Sequence, residues 1–142
     1  MSAVCSKIRL VRKSNYLEKG ATEMVAGIIL TTEMGTTELP ASSYDEISKA
    51  VGGYIQLVPL QNDFAGYAMY VHEEGKLLGL PMNDLATAVW ENSYGRTDII
   101  LGNAVLINAN TDDEGNELPI SETEAEKLME RLNSVFQKYA TT

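Results

Sequence analysis

The chain has 142 residues, 44% of them hydrophobic, and carries 20 acidic side chains against 11 basic ones for a net charge of −9. That size and apolar content exclude a disordered chain and suit a single domain with its own core, while the charge repels a phosphate backbone and argues against direct nucleic-acid binding. No apolar run approaches the roughly 20 residues of a membrane span and no signal-peptide apolar region opens the chain, so a cytoplasmic protein is expected.

In chain order, "KIRLVRKSN" alternates apolar and basic residues as a half-wet strand does, and "TEMVAGIILTT" reads as a second strand. "TTEMGTTEL" turns around Gly35 into a short edge strand that stops at Pro40. "SYDEISKAVGG" is a helix: Ser43 and Glu46 form a capping box, Ile47, Ala50 and Val51 share a face, and Gly52 supplies a left-handed end. "YIQLVPL" is a strand that Pro59 confines to an edge or a strand end. "AGYAMYVHEEGKLLGL" predicts a hairpin in which Leu77 to Leu80 pair back on Tyr67 to Val71. Asn83 opens a short helix, "DLATAVW", followed by the polar loop "ENSYGRT" and the longest β-type run, "DIILGNAVLINAN". After the turn "TDDEGNELP", Ser121 and Glu124 form a second capping box. Ala125, Leu128, Met129, Leu132, Val135, Phe136 and Tyr139 then recur at helical spacing.

The expected class is α+β: a mostly antiparallel sheet with two short helices and a long amphipathic C-terminal helix. Residues 1–142 form one domain, with 1–42 as an N-terminal strand segment and 43–142 as the core. The long helix covers one face of the sheet or part of a partner subunit, and its apolar face, with Met129, Phe136 and Tyr139, leads us to expect a homo-oligomer.

Catalytic signatures are missing. The lone histidine, His72, has no spaced nucleophile, and the glycines form no phosphate loop or dinucleotide fingerprint. One cysteine, Cys5, excludes an internal disulfide, and with His72 it is too little for a zinc site. "NTDDEGNELPIS" begins like a calcium loop, but Ser121 stands where the bidentate glutamate belongs. A non-catalytic protein without metal or cofactor is therefore expected.

What remains is binding chemistry. "WENSYGR" gathers Trp90, Asn92, Tyr94 and Arg96, which offer a stacking ring, amide groups and a guanidinium, as a small nucleotide requires. In a basic N-terminal ribbon, Arg9, Arg12, Asn15 and Tyr16 can hold a phosphate or close a turn, and Tyr54 is a further stacking candidate. Asn83 suits a helix N-cap, and a helix N-terminus also favours an anion, so capping and ligand contact are compatible there.

Val51 to Ile55 (Val-Gly-Gly-Tyr-Ile), Glu74 and Gly75, Gly79 to Asn83 (Gly-Leu-Pro-x-Asn) and Ile100 to Gly102 (Ile-x-Gly) resemble an uncharacterised domain family of phages and mobile elements over roughly residues 43 to 132. The segment before it lies outside that family's usual core. Combined with this core, it looks similar to phage Thoeris anti-defence proteins, sponges that trap a cyclic ADP-ribose signal in a pocket between subunits without degrading it. The resemblance implies a phage counter-defence protein that sequesters a small signalling nucleotide, cyclic ADP-ribose-like or a cyclic oligonucleotide, in the host cytoplasm. The alternative is an acidic DNA mimic that inhibits a host defence protein.

Overall fold

The computed structural model describes residues 9–10, 24–39, 44–111, 113–114 and 118–141. Cys5, Arg12, Asn15, Tyr16 and Ser43 lie outside them, as does most of the first predicted strand.

The described elements are β1 (Arg9–Leu10), β2 (Met24–Val25), β3 (Gly27–Leu30), β4 (Gly35–Leu39), α1 (Tyr44–Val51), β5 (Ile55–Pro59), a 3₁₀ turn (Asn62–Phe64) and β6 (Tyr67–His72). They continue with α2 (Gly75–Leu78), α3 (Asp84–Tyr94), β7 (Ala104–Asn108), β8 (Ile120–Ser121) and α4 (Glu122–Ala140). One sheet runs in the order β1-β4-β3-β7-β6-β5, antiparallel except where β1 joins β4, and β2 pairs with β8 in a separate ribbon. The α+β class expected from the sequence is the one observed.

Both faces of the sheet are covered. On one, α3 and α4 enclose Ile28, Leu30, Met69 and Leu106 with their own Leu85, Val89, Leu128, Met129 and Leu132. On the other, Ile47 and Val51 of α1 pack with Leu39, Ala68, Val105 and Ile107. Central β7 therefore reads as the unbroken apolar run Ala-Val-Leu-Ile, each successive side chain serving the opposite layer. Beside it, Gly27 has to be glycine, because a Cβ there would lie 2.6 Å from the Leu106 carbonyl oxygen.

The predicted capping box at Ser121 forms in one direction only, because the Glu124 carboxylate accepts the Tyr67 hydroxyl instead of the Ser121 N–H. Ser121 Oγ accepts the Glu124 N–H at 3.1 Å, a cap that stabilises α4 by about 1 kcal/mol. Gly52 ends α1 with φ +99°.

Four local expectations fail. β4 is not an edge strand, since β1 pairs with its first residues, Gly35 and Thr36. The predicted hairpin does not form: β6 lies between β5 and β7, and Gly75–Leu78 makes one helical turn with Leu77 and Leu78 exposed. Pairing with distant β7 lets β6 bury both faces, which a return by Leu77 to Leu80 would not offer. The "ENSY" of the expected loop is helical, because Ser93 is buried and Tyr94 finds a partner in Pro59 before Gly95 ends α3. The long β-type run forms a strand only from Ala104, and Ile100 to Gly102 instead fold against Pro81 to Asn83. Among the described residues, no helix is long and apolar enough to cross a membrane.

Candidate functional site

Asn83 is completely buried. Its Oδ1 accepts the Ala86 N–H at 2.9 Å, while Nδ2 donates to the carbonyls of Leu30 and Gly102, each at 2.9 Å. Its backbone N–H donates to Ile100, the Gly102 N–H donates to Pro81, and Met82 bridges Leu101. Thr87 Oγ1 accepts the Ile100 N–H at 3.0 Å. Asn83 thus caps α3 and clasps β3 and the Ile100–Gly102 segment, with both amide donors satisfied inside the fold. The cap expectation holds. Ligand contact does not, because the side chain reaches no cleft. The Gly-Leu-Pro-x-Asn and Ile-x-Gly motifs meet in this clasp, so what looked like pocket chemistry is architecture.

The open space lies along the outer side of α3 and past its C-terminal end. A cleft of about 570 Å³ opens between the Thr87–Glu91 side of α3, the segment that follows α3 and the C-terminal end of α4, lined by Thr87, Glu91, Arg96, Asp98, Ile99 and Tyr139. A smaller one of about 180 Å³ adjoins it across Asp98 and Ile99, bounded by Gln56, His72, Lys76 and Trp90. Charges in the lining are paired. Arg96 Nε donates to Glu91 at 2.7 Å, and Lys76 is ion-paired with Asp98. The two cations are exposed and the two carboxylates partly so, and such surface pairs contribute at most about 1 kcal/mol each and yield to a competing ligand at little cost. The Lys76 hydrogen bond holds the Asp98 carboxyl below its usual range, partly offset by desolvation. Burial pushes the Tyr139 phenol up, the charges of Asp84 and Glu91 push it further, and Arg96 opposes them.

The remaining candidates are spread out. The Trp90 indole N–H donates to Thr97 Oγ1 at 2.9 Å, and its ring lies 4.6 Å from that of Tyr94, tilted by 45°. The Tyr94 hydroxyl donates to the Pro59 carbonyl. Asn92 is bound to Asp63 in both directions, at 2.9 and 3.2 Å, and borders a groove of about 190 Å³ against Val135 and Lys138. Tyr54 is 66% exposed and lines a separate recess of about 330 Å³ with Ser48, Glu74 and Leu78. Arg9 pairs through its backbone with Gly35 at the far edge of the sheet from β5. Of the described members of the sequence-predicted set, only Arg96 and Trp90 line the two adjoining clefts.

Thr87, Glu91, Asp98, Lys76 and Tyr139 were not singled out as site residues. Their one sequence signal was Tyr139, a polar-tipped ring closing the apolar stripe of α4. His72, between two recesses, accepts the Glu74 N–H on Nδ1 at 3.0 Å, which places its proton on Nε2. That nitrogen packs so closely on Gly53 that a Cβ would sit 2.5 Å away. Among the described residues no three His, Cys, Asp or Glu side chains gather as metal ligands.

No curated protein and no solved structure matches the sequence. One domain family does, across residues 26–133, described as a domain of unknown function, DUF3846. The match begins at residue 26 rather than 43, so β3 and β4 belong to the domain core, as central β3 must. Covering most of the chain, this match makes the protein a member of the DUF3846 family.

Proposed function

We propose that this chain is a non-catalytic binding protein that sequesters a small signalling nucleotide, cyclic ADP-ribose-like or a cyclic oligonucleotide, in the cleft between α3, the segment that follows it and the C-terminal end of α4. The observation that carries the reading is that cleft. Its volume of about 570 Å³ lies in the range of small-molecule sites, roughly 300–1,000 Å³, and Arg96 and Tyr139 bring a guanidinium and a phenol to its lining. Arg96 meets a phosphate by exchanging its Glu91 partner, a charge-assisted contact for a solvated ion pair. Trp90 borders the adjoining cleft, where a base can stack. The lining holds two carboxylates against one guanidinium, so a dianionic ligand requires displacement of Glu91 or further cations from elsewhere. The phage counter-defence setting, the host cytoplasm and the homo-oligomer rest on the sequence resemblance.

The exposed Glu124, Glu126 and Glu130 of α4 favour a second reading, an acidic inhibitor that mimics DNA before a basic defence protein. Native mass spectrometry with a panel of cyclic ADP-ribose isomers and cyclic oligonucleotides separates the two. The expected result is the intact mass of one panel member on the wild type and its loss in Arg96→Ala. A shortened ligand means an enzyme, and no mass shift across the panel moves the reading to a protein partner.

A further inference from the structure

The edge of the sheet at β5 is closed along most of its length and open at one place. Ladder bonds fix the geometry: the Glu73 N–H donates to Tyr54, and the Leu60 N–H donates to Tyr67. With Ile55 opposite His72 and Leu57 opposite Tyr70, the even-numbered residues of β5 bond to β6, and the odd-numbered ones turn their backbone groups outward. The chain itself satisfies most of these. Gly53 is held in both directions by Ser48, the Pro59 carbonyl accepts the Tyr94 hydroxyl, and Gln61 is held in both directions by Ser93. Ile55 and Leu57 are left, and their outward N–H and C=O groups find no partner among the described residues.

Of the usual protections of such an edge, proline stands only at its far end, at Pro59. Edge strands are commonly guarded by charged side chains, yet on a chain of net charge −9 the stretch from Tyr54 to Gln61, "YIQLVPLQ", carries no charge at all. Tyr54 is 66% and Leu57 50% exposed. Charge depletion with exposed aromatic and aliphatic side chains is the composition of an interface core.

The geometry points to a second copy of this chain as the occupant: we infer that two β5 strands pair antiparallel about a two-fold axis at Gln56. In that register Ile55 of one copy faces Leu57 of the other, so the two open donors and two open acceptors of each strand meet those of its partner. A register centred on Leu57 would set Ile55 against Pro59, which has no N–H to give. The open set is therefore self-complementary in one register, as an isologous contact requires. The absence of charge removes like-charge contacts that a two-fold would otherwise place face to face. Exposed Gln56 also borders the smaller cleft, so the axis brings the clefts of the two copies to either side of one seam. This inference stands without the ligand reading.

Sedimentation of the ligand-free full-length chain across a concentration series tests it, with twice the monomer mass expected at the upper end. Because both copies are acidic, raising salt should strengthen the association, opposite to the weakening expected for an acidic protein on a basic partner. Gln56→Lys, at an exposed position, sets two like charges across the axis and should return the monomer with an unchanged circular dichroism spectrum. Position 56 would form a non-hydrogen-bonded pair with its own copy, with Cα atoms about 4.5 Å apart, within disulfide reach. In a Cys5→Ser background, Gln56→Cys should therefore cross-link on mild oxidation and Val58→Cys should not. A wild-type monomer throughout the series overturns the inference. So does a dimer that survives Gln56→Lys, or one cross-linked equally well from position 58.

Discussion

The two ends of α3 present the same kinds of side chain in opposite circumstances. At the N-terminal end, Asn83 is fully enclosed and binds three partners from three parts of the chain. At the C-terminal end, Arg96 and Asp98 stand in solvent, each paired with an opposite charge beside a cleft. Burial makes the difference energetic. An amide removed from the enclosed end leaves buried carbonyls unsatisfied, whereas a charge removed from the open end leaves a partner that water solvates. The first end holds the fold, and the second is free to exchange its partners for a ligand.

The largest expected effect tests the enclosed end. Asn83→Ala should destabilise by about 2–4 kcal/mol in urea unfolding, since it orphans the Leu30 and Gly102 carbonyls and the Ala86 N–H. Asn83→Asp sharpens the point. Asp caps helices as well as Asn does, so a residue that merely capped α3 would tolerate it. A clasp would not, because the carboxylate faces two carbonyl oxygens, and a stability equal to wild type would break the comparison. One turn further on, Thr87→Val removes the acceptor of the Ile100 N–H inside the fold and should cost about 1–2 kcal/mol. Arg96→Ala, at the open end, should change stability by no more than about 0.5 kcal/mol. The smallest effect is on pH dependence. The folded protein holds the Asp98 carboxyl below its ordinary value, so its contribution is present above pH of about 4 and lost as acid protonates it. Acid titration of stability should show a slightly shallower loss in Asp98→Asn than in wild type, and a steeper one would contradict the pairing with Lys76.

Local signals were legible where local physics decides. Ser121 capped α4, Gly52 ended α1 and Asn83 began α3 because capping joins neighbours a few residues apart. The hairpin at Glu74 and Gly75 was misread because Leu77 and Leu78 have the composition of a strand and no strand beside them. Their exposure depends on β6 having been taken up by β7, a segment more than thirty residues away. The candidate site suffered similarly. "WENSYGR" has the residues of a nucleotide loop, but helical geometry sends Asn92 to Asp63 and Tyr94 to Pro59, leaving Trp90 and Arg96 for the clefts. Tyr139 joins Arg96 only because the C-terminal end of α4 packs beside α3 and the segment that follows it, which no spacing in the chain records.

By itself, the sequence determined the class, the helix caps at Asn83 and Ser121, the buried stripe of α4 and the acidic balance of charge. Each of these follows from period, propensity or charge, properties that a residue carries into any fold. The tertiary structure decided which polar residues are enclosed, where the clefts open and which backbone groups of β5 stay unpaired. Those outcomes depend on contacts between segments far apart in the chain, where burial rather than residue type determines whether an asparagine binds a ligand or the fold itself.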